Sequence, residues 1–206
     1  MSRGRLITIE GLDGAGKTTL SLALHDALSG QLIDVRLLRE PGGVEIAERV
    51  RDLVKDPALR IGARAEALLY AAARAQLVEQ AIAPLLQTGA WILLDRFVDS
   101  SLVYQGAGRA LGTDAIRAIN EFATRGLRPD RTLLLQVDPA LGRARSRARP
   151  GALDRLELEQ EEFFARIAGA YTELAAQEPD RIRTIDAAQE PAAVLTAALG
   201  ALADLL

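Results

Sequence analysis

The chain has 206 residues, 26% of them charged, and a formal net charge of −3, a balance that excludes a general nucleic-acid binder, which would carry a basic surface. It holds no cysteine, so disulfides and thiolate metal sites are excluded. No apolar run approaches the roughly 20 residues that a bilayer span requires, and the short apolar stretch before Glu10 predicts no signal peptide. In chain order, RLITIEG (5–11) reads as a buried strand ending in a glycine turn. From Lys17, KTTLSLALHDALSG sets Leu20, Leu24 and Leu28 on one helical face and stops at Gly30. LIDVRLL (32–38) is a second strand, broken by EPGG; helical patterns then cover 44–56 and 64–87. WILLD (91–95) is continuously apolar, as in a parallel sheet, and helices follow near 99–106 and 113–125. RTLLLQV (131–137) is a fourth strand, a helix begins after Pro139, a long one covers 156–177, IRTID (182–186) is a fifth strand, and an Ala/Leu helix closes the chain. Strands that alternate with helices predict parallel crossovers, hence an α/β three-layer sandwich with a five-stranded parallel sheet flanked by helices. One domain over 1–206 is expected, with a short lid over 142–153 and a cytoplasmic location.

Of the 25 basic residues only two are lysine, at 17 and 55. Lys17 lies in Gly11-Leu12-Asp13-Gly14-Ala15-Gly16-Lys17-Thr18-Thr19, between a strand and a helix, the setting that a phosphate-binding loop (P-loop) requires. Backbone amides curl around phosphate oxygens there, helped by the positive end of the following helix. A compact ammonium on a slim stem reaches the β- and γ-phosphates where a planar guanidinium would need more room. Thr18 offers a hydroxyl to Mg²⁺, with Asp13 or Asp95 as the companion carboxylate. The chain has no Asn-Lys-x-Asp guanine-reading motif and no Ser-Gly-Gly transporter signature, which leaves a small-molecule kinase. Arg96, beside Asp95 at the end of the third strand, can bridge donor and acceptor phosphates. Tyr70 and Arg74, four apart on a helix, suit a ring stacked on a base and a guanidinium at its edge.

The stretches IEGLDGAGKTT, REPGG, EALLYAAARAQLV, DRFVDSSLVYQG, GLRPDRTLLL and LDRLE together resemble the thymidylate kinase family over essentially the whole chain. The resemblance implies a P-loop NTPase fold, ATP and Mg²⁺, conversion of dTMP to dTDP, and a homodimer. It implies acceptor-phosphate roles for Arg39, Pro41 and Arg51. Tyr70 is implied as the base platform, where the family usually has Phe, and Arg74 as the reader of thymine O4. Ser100, Ser101 and Gln105 are implied on the base edge, and Tyr104 against the sugar 2′ position. A further catalytic arginine is implied from the lid, with Arg147 and Arg149 as equal candidates. The alternatives are a kinase for another nucleoside monophosphate or a nucleoside, and a P-loop regulatory protein without turnover.

Overall fold

The computed structural model describes residues 3–148 and 154–206. Five strands, β1 (Leu6–Gly11), β2 (Val35–Arg39), β3 (Trp91–Asp95), β4 (Arg131–Gln136) and β5 (Ile182–Asp186), form one parallel sheet in the order β2-β3-β1-β4-β5. Every residue of β1 is buried, as its central place requires. Side chains alternate between the two faces. Ile7, Ile9, Leu93, Leu133 and Ile185 pack beneath α1 (Lys17–Ser29) and α9 (Pro191–Leu202). On the other face Leu6, Ile92 and Leu94 meet α3 (Ala63–Leu77) and α4 (Ala83–Gln87). Leu134 meets α6 (Thr113–Thr124) and α8 (Glu161–Gln177). α2 (Glu45–Lys55) lies against α3 through Val50, Val54 and Ala73.

The sheet register positions the site. Ile9 pairs with Asp95, Arg39 also pairs with Asp95, and Gly11 pairs with Leu135, so three strand ends open side by side. From β1 the chain crosses to β2 on one side, and from β3 to β4 on the other. That reversal leaves a crevice at the carboxyl ends, where α/β sheets bind ligands.

Four local expectations are corrected. The helix expected over 64–87 is interrupted by a π-helical turn, Val78–Ile82, between α3 and α4. The helix expected near 99–106 is α5 (Val98–Ser101) followed by a π-helical turn, Leu102–Gly108, a wide turn frequent at functional sites. The second strand starts at Val35, because Leu32 takes φ 64° at the end of a turn and is solvent-exposed. The long helix starts at Glu161, because the Asp154 carboxylate accepts the N–H groups of Leu156 and Glu157 and folds that segment into a turn. The lid expected over 142–153 falls partly on α7 (Pro139–Arg147), capped by Asp138, and partly outside the described residues.

Candidate active site

The loop after β1 turns on Gly11, Gly14 and Gly16, all with positive φ. Gly14 is constrained twice: φ is 79°, and a Cβ there would lie 2.0 Å from Gly142 O on α7. The loop and α7 are therefore in backbone contact. Leu12 and Ala15 are buried, fixing the loop from below, while Gly16, Thr18 and Thr19 face solvent at the start of α1. Lys17 Nζ donates to Gly11 O at 3.2 Å and Leu12 O at 3.0 Å. Burial and the nearby Arg96 lower its pKa to about 8.

Arg96 follows β3 with φ 71°, a left-handed conformation that costs a non-glycine residue energy and recurs at functional sites. Its guanidinium donates to Asp13 Oδ1 at 2.7 Å, Ser100 Oγ at 3.1 Å and Tyr104 OH at 3.3 Å, and lies over the Tyr104 ring. Burial opposes the charge on Asp13, but Arg96 and Lys17 hold its carboxyl well below the usual range. The turn is secured from inside the protein by Glu10. This fully buried carboxylate accepts Phe97 N–H at 2.7 Å, Ser100 N–H at 3.2 Å, and the hydroxyls of Ser100 and Tyr171.

At the end of β2, Arg39 is bound to Glu48 at 2.8 Å and half exposed, while Arg51 donates to Pro41 O at 2.8 Å. Arg74 is almost fully buried, and its guanidinium makes four hydrogen bonds to protein acceptors. Nε and Nη2 reach Glu40, Nη1 reaches Ser101 at 2.9 Å and also Asn120, and Nη2 reaches Phe97 O at 3.0 Å. Burial raises Glu40 to about 7 against the pull of Arg74. Gln105 donates to Glu66 at 2.8 Å.

These groups share one cavity of about 880 Å³. The P-loop, Asp95 and Arg96 line its middle, and Arg39, Pro41, Arg51, Tyr70, Arg74, Ser100, Ser101, Tyr104 and Gln105 one end. The other end is formed by Ala187, Gln189, Glu190 and Pro191, which sequence reasoning missed. Their position after the carboxyl end of β5 was the available signal. Arg145, donating to Ala187 O at 2.9 Å, also lines the cavity. Arg147 borders a separate small recess with Leu12, Arg143 and Phe164, and Arg149 lies outside the described residues.

Among the described residues no group of three or more His, Asp or Glu could hold a metal by itself. Mg²⁺ does not require one, since it commonly takes one or two carboxylates, water and substrate phosphates. Thr18 Oγ1 donates to Asp95 Oδ2 at 3.4 Å, which sets two hard oxygen donors beside the phosphate loop, and these fit the ion. Asp13 already balances Arg96, with Lys17 at 3.9 Å.

A phosphate loop and a second, arginine-lined recess meeting across one cavity of a parallel sheet define a P-loop phosphotransferase with room for two small ligands. Among such enzymes the comparisons are specific. The model of the family described as thymidylate kinase matches residues 9–198, and the chain belongs to that family. Thymidylate kinases of Rhizorhabdus wittichii and Lactobacillus delbrueckii subsp. bulgaricus are 47% and 46% identical, over 98% and 96% of this chain and 99% and 94% of theirs. The crystal structure of thymidylate kinase from Ehrlichia chaffeensis is similar with a TM-score of 0.77 at 29% identity, covering 97% of this chain and 99% of that one.

Proposed function

We propose that this protein transfers the γ-phosphoryl group of ATP to the phosphate of dTMP, giving dTDP and ADP. The observation that carries the reading is Arg96, held in a left-handed turn between the P-loop and the acceptor recess of one cavity. An acceptor phosphate oxygen forms the new bond to the γ-phosphorus as the bond to the β–γ bridging oxygen breaks, and ADP leaves with that electron pair. Such a transfer needs alignment and charge neutralisation more than proton transfer.

Lys17 and the amides of residues 11–19 bind the donor phosphates. Arg96 spans donor and acceptor, and Arg39 and Arg51 neutralise the acceptor phosphate. Tyr70 carries the base, with Arg74, Ser100, Ser101 and Gln105 along its edge and Tyr104 against the sugar. Arg145 joins Arg147 and Arg149 as a candidate for the lid charge on the transferred group. Thr18 and Asp95, with Asp13 nearby, would hold Mg²⁺, which supplies charge neutralisation at the donor phosphates. We also read the protein as a homodimer acting in the cytoplasm. Exposed Leu53, Leu68 and Phe122 on the neighbouring helices α2, α3 and α6 support the dimer.

Coupled ADP release over dTMP, dUMP, dCMP, dGMP, dAMP and thymidine tests the reading. The highest specificity constant is expected for dTMP. A higher value for another acceptor, or no turnover at all, would overturn it.

A further inference from the structure

Glu66, on α3, is completely buried and lies at the back of the acceptor recess. Its carboxylate accepts from Gln105 Nε2 at 2.8 Å, Arg109 Nη2 at 3.2 Å and Arg155 Nη2 at 2.6 Å. Each cation is anchored in turn. Arg109 pairs with Glu159 at 2.5 Å and lies over the Phe163 ring; Arg155 donates through Nε to Val54 O at 3.0 Å. Burial would raise the Glu66 pKa, but these donors bring it below the ordinary carboxylate value.

An ionised carboxylate only accepts hydrogen bonds, so the side of Gln105 that faces Glu66 must be the NH₂ group. Oε1 is then turned away from Glu66, in a side chain that lines the cavity. Among the described residues no donor reaches Gln105 Oε1, whereas each nitrogen of the Arg74 guanidinium already donates to protein. The open hydrogen-bonding capacity at Gln105 is therefore an acceptor.

We propose that Glu66 is a positioning residue for base selection: it locks the Gln105 amide with its carbonyl toward the ligand, so that the site takes a pyrimidine carrying a proton on N3 and rejects one whose N3 is a bare acceptor. The inference rests on the reading of the cavity as a dTMP site. A thymine N3–H pairs with the carbonyl. A cytosine N3 would meet it lone pair to lone pair, and a site built for a hydrogen bond penalises its loss strongly.

The test compares dTMP with 5-methyl-dCMP, which keeps the methyl, sugar and phosphate. In Glu66→Gln the neutral amide both donates and accepts, so Gln105 is free to turn over. The ratio of specificity constants, dTMP over 5-methyl-dCMP, is expected to fall about tenfold or more, with the KM for ATP unchanged. Any discrimination exercised at position 4 of the ring is common to both enzymes and cancels. Glu66→Asp, which keeps the acceptor-only group, is expected to retain most of the wild-type ratio. In a Gln105→Ala background Glu66→Gln should change the ratio no further. An unchanged ratio in folded Glu66→Gln overturns the proposal. Should that variant not fold, the wild-type protein decides by NMR. The ¹⁵N side-chain amide of Gln105 should stay protected from hydrogen exchange with and without dTMP, and loss of that protection on binding overturns the proposal. Absence of dTMP turnover in the wild type would instead sink the reading of the site.

Discussion

Arg96 and Asp13 form an ion pair of 2.7 Å across the mouth of the P-loop, with the arginine backbone held at φ 71°. Glycine would accept that backbone angle without strain. Arg96→Gly should therefore keep its thermal unfolding midpoint within a few degrees of wild type while kcat falls about 10²- to 10³-fold, as for loss of one preorganised charge contact. Unfolding scans and steady-state kinetics on one preparation check both halves. A kcat within tenfold of wild type would reduce Arg96 to a structural partner of Asp13.

Lys17 holds two loop carbonyls and its pKa is lowered to about 8 by burial and by Arg96. With that lowered value, the ammonium is protonated below about pH 8 and loses its proton above it. Donor phosphates favour the charged form, so binding of ATP at pH 9 should take up a proton and affinity should weaken as pH rises through 8. Calorimetry in two buffers of different ionisation enthalpy measures that uptake; none at pH 9 contradicts it. Lys17→Arg should lose most activity, because the loop has room for a slim stem alone.

Much of the frame was legible because each piece is local. A strand, a glycine loop and a helix start in unbroken succession between residues 6 and 29, so periodicity and turn chemistry suffice. The Asp95–Arg96 pair ends an apolar strand and was equally visible. Glu66 was not: its partners at 105, 109 and 155 come together only when α3, the turn after α5 and the segment beyond the lid fold against one another. Arg74 was placed at the site by its spacing from Tyr70, but nothing in that spacing reveals four protein acceptors. Such networks depend on tertiary packing rather than on period.

That network changes what Arg74→Ala should do. Sequence reasoning alone expects a raised KM for dTMP with little change for ATP. The structure adds a stability cost, because truncation strands Glu40, whose buried Oε1 already has no hydrogen-bond partner among the described residues. Breaking one side of a buried pair costs about 3–5 kcal/mol. Denaturant unfolding should show a loss of that order, and Glu40→Gln in the same background should recover part of it. A variant as stable as wild type would mean that the pair contributes nothing net.

Gly142 on α7 faces the loop: a Cβ there would lie 3.0 Å from Asp13 O. Gly142→Ala should push α7 off the P-loop and raise the KM for ATP several-fold, with the KM for dTMP little changed. The two constants, measured side by side, separate this from general destabilisation, which would shift both.

The sugar is the last element of selectivity, and it rests on Tyr104. Thymine-edge contacts cannot tell dTMP from its ribose analogue, since both carry the same base. The Tyr104 ring is buried, edge-on to Phe163 at 6.2 Å, and its hydroxyl is held between Arg96 at 3.3 Å and Asp13 at 3.4 Å. A ring pinned at both ends is a rigid wall, and a 2′-hydroxyl pressed against it would lose its partners, at about 1–3 kcal/mol or roughly 5- to 150-fold in selectivity. Tyr104→Phe removes the hydroxyl and keeps the wall, so it should lower kcat through Arg96 while leaving the preference for dTMP over ribothymidine monophosphate intact. Tyr104→Ala removes both and should narrow that preference, chiefly by letting the ribose form bind. The ratio of the two specificity constants in the three proteins decides it. If the Ala variant folds and keeps the wild-type ratio, Tyr104 only packs, and deoxyribose is chosen elsewhere in the cavity.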